Sequence, residues 1–362
     1  MAEALLHVGD IDGTDQRATL HPEKFNRHTF WCGQSGSGKT YALGVVLEEL
    51  LLKTELPLVI IDPNADFVRL GEVRDGVDPA VAEQLAARDI RVLRPAHLQG
   101  DGLYARFATM QSQSKAAVLR LDPIVDRVEY NAFVHWSTAE AAADARALVA
   151  QLLASTDAGQ RGIAQRIENL GLLEWQMWAG EQLPASQIVD ERPDATVLDV
   201  GGFEHTEEAL TVVLSVLDAL WMSREHRRPA LIVIDEAHNV CSPELEGPLA
   251  VAVRERIIQI AAEGRKYGLW LLLSTQRPSK VHPGVISQCD NLGLMKMSSP
   301  ADVAELGSVF GFVPPTLLAR AASFEQGQAM LAGGFAPIDG VVRMRQRFTH
   351  EGGADVRVPI RN

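Results

Sequence analysis

The sequence predicts an α/β protein with a mostly parallel sheet and a helical subdomain inserted into it. Short apolar runs alternate with helical patterns along most of the chain, the order of elements that parallel sheets require. Some runs, Leu58-Val59-Ile60-Ile61 among them, are apolar at every position, as a strand covered on both faces must be. Between Val125 and Glu181 the texture changes to Ala, Leu, Gln and Glu with Trp136, Trp175 and Trp178, and the β signal fades.

Taken in order, 1–26 is a short polar lead-in, and His28 to Gly33 is the first strand. Ser37 to Lys53 reads as a helix, with Leu43, Val46, Leu47, Leu50 and Leu51 at helical spacing. The strand Leu58 to Ile61 stops at Asp62-Pro63, where proline ends regular pairing. Asp89 to Leu93, Tyr104 to Thr109 and Ala117 to Leu121 read as short strands. The sheet resumes with Thr196 to Val200, Ala230 to Ile234, Leu269 to Ser274 and Asn291 to Met297, separated by helices near Thr206 to Arg224, Glu244 to Arg265 and Pro300 to Gly311. Ala329 to Leu331 and Val341 to Phe348 read as a closing hairpin, with Arg343, Arg345 and Arg347 on one strand face. The implied division is 1–26, a first core segment 27–124, a helical insert 125–190, and a second core segment 191–362.

With 362 residues, 46% hydrophobic and 22% charged, the chain is long enough to bury a sizeable core. No apolar run approaches the roughly 18 residues of a membrane span, and Met1 to Gly9 lacks the pattern of a signal peptide. Cys32, Cys241 and Cys289 are too far apart for metal-ligand spacing and fit a reducing cytoplasm, with Cys32 in an apolar strand as core. A net charge of −13 argues against a monomer that coats DNA through bulk positive potential, yet leaves room for a ring whose channel carries a few basic groups.

Three motifs carry chemistry. Gly33, Gln34, Ser35, Gly36, Ser37, Gly38, Lys39 and Thr40 lie between a strand and a helix. The glycines let backbone N–H groups turn inward on a β-phosphate, Lys39 reaches the β/γ oxygens and the Thr40 hydroxyl is placed for Mg²⁺. The helix N-terminus adds partial positive charge. Ala230 to Ile234 then delivers Asp235 and Glu236 to the edge where open α/β folds bind ligands: Asp235 for Mg²⁺, Glu236 to polarise an attacking water. Alone, such a pair is also the pattern of a helix N-cap. Ser274-Thr275-Gln276-Arg277-Pro278 leaves the next strand, and Gln276 is placed to sense a γ-phosphate, although a plain exit turn stopped by Pro278 has the same residues.

Taken together, Trp31 to Thr40, Val59 to Phe67, Ile232 to His238 and Glu263 to Gly268 through Arg277-Pro278-Ser279 resemble the HerA/FtsK superfamily of P-loop motor ATPases, and the HerA-like branch most. The resemblance implies a RecA-like core, with ATP and Mg²⁺ sandwiched between subunits of a homohexameric ring. It implies that Arg265 is an arginine finger for the neighbouring site, and that Arg27, twelve residues before Lys39, contacts nucleotide alongside Gly33 to Thr40 and the adjoining Tyr41. Asp62 matches an acid that tunes Mg²⁺ or water. His238 reads either as a helix-start residue or as a coupling group. The branch also carries an N-terminal β-barrel that docks a nuclease, which 1–26 is too short to make.

By the same resemblance the expected activity is ATP-driven translocation of double-stranded DNA with a nuclease or other effector, in DNA processing or anti-phage defence. Two alternatives stay open: a conjugation or type IV secretion ATPase, and an ATP-assembled ring scaffold that moves nothing. Thr109 to Arg120, with Gln111, Gln113, Lys115 and Arg120, reads either as a channel loop or as a solvated turn.

Overall fold

The computed structural model describes residues 5–135 and 145–353; Trp136 and the first four residues of the lead-in lie outside them. Twelve described strands form one sheet: β1 (Leu6–Ile11), β2 (Arg17–Leu20), β3 (His28–Cys32), β4 (Leu58–Asp62), β5 (Ile90–Arg94), β6 (Asp101–Gly102), β7 (Ala195–Asp199), β8 (Ala230–Ile234), β9 (Leu269–Thr275), β10 (Cys289–Leu294), β11 (Gln328–Gly333) and β12 (Gly340–Met344). Their order is β2-β1-β12-β11-β10-β3-β9-β8-β4-β7-β5-β6. From β10 to β6 every pair is parallel. From β10 to β2 every pair is antiparallel. The fold is therefore the α/β, RecA-like class, with a mostly parallel sheet.

The central strands are buried on both faces because each face has its own cover. Val59, Ile61, Ile232 and Ile234 join one core with α8 (Thr206–Met222) and α9 (Pro248–Glu263), numbering helices in chain order. Leu58, Ile60, Leu231 and Val233 join the other with α1 (Lys39–Lys53). This two-sided cover is what erases period-two alternation from the sequence. The three cysteines are free and buried, Cys32 in β3 among them.

Among the described residues the other α-helices are α2 (Pro79–Ala86), α3 (Ser112–Val118), α4 (Arg127–His135), α5 (Ala145–Leu153), α6 (Ala158–Asn169), α7 (Ala185–Asp190), α10 (Pro283–Ile286), α11 (Pro300–Val309) and α12 (Pro315–Leu318). α4 and α5 both pack on α6. The helical run begins at Ser112, so the expected strand Ala117 to Leu121 is instead the end of α3 and the turn after it, laid against α8 and α9. A four-residue apolar run carries no period long enough to separate the two states. The expected strand Tyr104 to Thr109 is also absent: Ala105 makes a single bridge to Trp178 and Phe107–Thr109 forms one 3-10 turn. The sheet has already ended at β6, so that segment has no strand to pair with.

Two further differences concern the antiparallel edge. Residues expected as a lead-in supply β1 and β2, which bury Leu6, Val8 and Leu20 and extend the sheet beyond β12. β12 stops at Met344, so Arg343, Arg345 and Arg347 do not share a strand face. Arg343 pairs with Glu325 at the surface, while Arg345 bridges Glu48 and Glu49 at 3.0 and 2.9 Å. Arg347 is fully buried beside Glu48. After β12 the chain leaves the sheet and crosses α1, drawn by those buried carboxylates.

Candidate active site

The loop 33–38 joins β3 to α1, whose first residue is Lys39. Gly36 and Gly38 have φ of 75° and 87°, a region that a side chain resists and that turns successive N–H groups the same way. Gln34 anchors the loop, its N–H donating to Lys296 O at 2.8 Å and its Oε1 accepting from Ser298 N at 2.9 Å. Ser37 Oγ is buried and has no hydrogen-bond partner. A cavity of ≈ 570 Å³ opens over the loop, lined by Gln34, Ser35, Gly36, Gly38, Lys39, Thr40 and Tyr41 together with Gln276, Gln326, Gly327, Met344 and Glu351. That volume suits a nucleotide-sized ligand.

β8, next but one to β3, carries Asp235 and Glu236 to the same edge, and β9 between them carries Gln276. Lys39 Nζ donates to Asp235 Oδ1 at 2.7 Å and Ser274 Oγ at 2.9 Å, and lies 3.2 Å from Glu236 Oε1. Burial alone would lower its pKa, but the two carboxylates outweigh burial and raise it. Glu236 sits at φ 46°, ψ 49°, a left-handed conformation costly for a non-glycine residue. Its carboxylate accepts from Gln276 Nε2 at 2.7 Å and has His238 Nδ1 at 3.2 Å. Burial would push that carboxyl up; the His238, Lys39 and Gln276 contacts prevail and hold it at about 2. His238 also reaches Thr275 Oγ1 at 3.0 Å, which ties the β8 exit to the β9 exit. Lys39, Asp235, Glu236 and Gln276, far apart in sequence, form one cluster.

Asp62 ends β4 beside them. Its Oδ1 accepts from Asn64 N and Asp66 N at 3.2 and 3.0 Å, and its Oδ2 from Phe67 N at 2.7 Å. Burial raises this carboxyl to about 7 against the pull of those amides. Asp66 returns toward Asp235, and ligand oxygens of Asp62, Asp66 and Asp235 lie within 4.8 Å of one another. Asp235 Oδ2 is buried and has no hydrogen-bond partner among the described residues. The Asp66 and Asp235 carboxylates are hard oxygen donors that fit a divalent cation such as Mg²⁺. The sequence reading assigns no role to Asp66, to the Lys39 partner Ser274, or to the cavity-lining Gln326 and Glu351. Asp66 carries a faint signal, the second acid of Asp62-Pro63-Asn64-Ala65-Asp66; Gln326 and Glu351 carry none.

Arg27 and Arg265 lie elsewhere. Arg27 immediately precedes β3, and Arg265 lies in the 3-10 turn Gly264–Tyr267 before β9, so both sit at the edge opposite the phosphate loop. A five-residue strand puts roughly 16 Å between the two edges. Arg265 Nη1 donates to Asp290 Oδ2 at 2.6 Å, and Arg27 Nε is 3.9 Å from the same oxygen. In the 109–120 segment Lys115 is buried and donates to Ala108 O at 2.9 Å, while Arg120 pairs with Glu207 at 3.0 Å. Both cations are tied to their own chain.

The family described as the central domain of the helicase HerA matches residues 6–217. Among curated relatives, a probable helicase of Methanocaldococcus jannaschii is 22% identical, over 92% of this chain and 68% of its own length. The DNA double-strand break repair helicase HerA of Pyrococcus furiosus is 23% identical, over 89% of this chain and 66% of its own. The chain thus spans about two thirds of the length of these relatives. Among solved structures, VirB4 of Thermoanaerobacter pseudethanolicus superposes with a TM-score of 0.58 at 13% identity, covering 94% of this chain and 96% of that one. The bacterial conjugative coupling protein TrwB, without its first 70 residues, gives 0.57 at 15%, covering 96% and 90%. These likenesses place the fold. Among the described residues no helix is long and apolar enough to cross a membrane.

Proposed function

The chain belongs to the family of the HerA helicase central domain, a P-loop ATPase family of HerA/FtsK type, and from that premise we propose that it hydrolyses ATP within a homohexameric ring that moves double-stranded DNA, alongside a nuclease or other effector. The observation that carries this reading is the split of the charged groups. Lys39, Asp235, Glu236 and Gln276 gather at one sheet edge, and Arg27 and Arg265 at the other. A single chain therefore assembles a base and a phosphate loop but keeps Arg27 and Arg265 at the far edge from them. In a head-to-tail ring the far edge of one subunit faces the near edge of the next, and each interface completes one site.

Lys39 is held by Asp235, Ser274 and Glu236. Arriving phosphates offer the ammonium a stronger partner and draw it off the carboxylates. Glu236 then loses one of the contacts that keep its basicity low and can accept the proton of an attacking water. Gln276 remains hydrogen-bonded to Glu236 and lines the cavity wall, so it reports the γ-phosphate to the β9 exit. Charge building on the transferring phosphoryl group is offset by Arg265 of the adjacent subunit, with Arg27 beside it. Thr40 and Asp235 would hold Mg²⁺, which when bound would offset phosphate charge.

The test is ATP turnover with and without duplex DNA. A translocating ring is accelerated by duplex and loses that acceleration as salt rises, because the grip is on backbone phosphate. A rate indifferent to DNA points instead to a ring that organises an effector without moving anything.

A further inference from the structure

We propose that Asp66, with Asp235, positions the divalent cation of this site, and that Asp62 serves to fold the loop that presents Asp66. The inference rests on the phosphate-loop reading and adds a residue to it. Asp62 spends both of its oxygens on backbone: Asn64, Asp66 and Phe67 all donate to it at 2.7–3.2 Å. That pattern wraps residues 62–67 around the carboxylate, with Ala65 at φ 58°. Two neighbouring segments lock the wrap by close backbone approach. A Cβ on Gly201 would lie 1.9 Å from Pro63 O, and one on Gly352 would lie 1.7 Å from Ala65 O. Gly352 N also donates to Asp66 O at 3.0 Å. The loop is therefore fixed by contacts that do not involve the Asp66 side chain.

The Asp66 carboxylate itself accepts no hydrogen bond from the described residues, yet it is brought within 4.8 Å of Asp62 and Asp235 ligand oxygens. Asp235 is 2% exposed, its Oδ2 is unpartnered, and its Oδ1 is held by Lys39. Asp235 and Glu236 thus share one ammonium, and Asp62 and Asp66 lie against Asp235. When phosphates take Lys39, Asp235 and Asp66 are left facing each other without a cation. Two carboxylates at that spacing destabilise each other, and hard oxygen donors in a half-buried recess are what a Mg²⁺ or Mn²⁺ ion and its water shell require. A structural Asp66 would show a bonded carboxylate, as Asp62 does.

The experiment is Mn²⁺ titration, followed by electron paramagnetic resonance, of the full chain saturated with ATPγS, comparing wild type with Asp66→Asn and Asp66→Glu. ATPγS affinity is measured in parallel in EDTA. Asp66→Asn is expected to weaken Mn²⁺ binding roughly tenfold or more, to leave metal-free ATPγS affinity unchanged, and to leave the melting temperature level or higher, since it removes a like charge. Asp66→Glu keeps the charge and recovers part of the Mn²⁺ affinity. Asp62→Asn, which loses the acceptor for Phe67 N, lowers the melting temperature. Equal Mn²⁺ affinity in wild type and Asp66→Asn overturns the assignment while the phosphate-loop reading stands. A wild-type chain that binds no ATPγS in either buffer removes both.

Discussion

Replacing Glu236 by Gln keeps the shape of the side chain and removes its charge. The carboxyl is held at about 2 instead of its ordinary 4.5, a preference for the ionised form of about 3 kcal/mol at 1.36 kcal/mol per factor of ten. Lys39, His238 and Gln276 supply it, and the residue is only 5% exposed, so solvent screens little of it. A glutamine amide cannot accept from all three, and it turns an N–H₂ toward Lys39 or Gln276. Two consequences follow. Loss of the proton acceptor costs about 10²- to 10⁴-fold in turnover. Nucleotide affinity holds or rises, because Lys39 leaves a weaker partner when it moves to the phosphates. Phosphate release at saturating ATP and duplex DNA, with a fluorescent-nucleotide titration beside it, reads both quantities. Turnover within about threefold of wild type, far short of the loss expected of a base, would refute the role of Glu236 and the argument from its donors.

Two further predictions concern the framework. Glu48 is fully buried and accepts from Arg345, Phe348 N, Thr349 N and Thr349 Oγ1 at 2.7–3.0 Å, so Glu48→Ala strands Arg347 and costs about 3–5 kcal/mol; urea unfolding checks it, and a loss below about 1 kcal/mol would mean the strap does not depend on the pair. His28 accepts from Leu271 N and contacts Ala261 O, and burial lowers its ring to about 4. The unfolded ring takes a proton near 6.5 while the folded one stays neutral, so its stabilisation is full above that pH and fades as pH falls toward 4. The stability gap between wild type and His28→Gln should narrow by about 2 kcal/mol from pH 7.5 to pH 5; an unchanged gap contradicts the buried neutral ring.

The parallel core was legible because Leu58 to Ile61 of β4 and all of β8 are apolar and the glycines of 33–38 separate a strand from a helix. The antiparallel edge was not. β1 and β2 bury Leu6, Val8 and Leu20, but the run is interrupted by His7 and Gly9 and pairs with a strand more than three hundred residues away. The ending of β12 was equally hidden, since alternation of Arg343, Arg345 and Arg347 predicts a strand, whereas Glu48 and Glu49 on α1 pull the chain off the sheet. At the site, residue types and order located the phosphate loop and the acidic pair. They gave no sign that Asp62 would spend its oxygens on its own loop and leave Asp66 exposed to Asp235, because backbone donors have no sequence signature.

The central claim is that the loop from Gly33 to Thr40 is half of an active site whose arginines come from the next subunit. Mixing Lys39→Ala chains with Arg265→Ala chains tests it most directly. Each variant alone should hydrolyse ATP at background rate, and random mixing in a ring restores about a quarter of the interfaces to a complete set. Recovery of turnover toward that fraction is the predicted result. Background turnover in mixtures whose subunits have been shown to exchange would contradict the account.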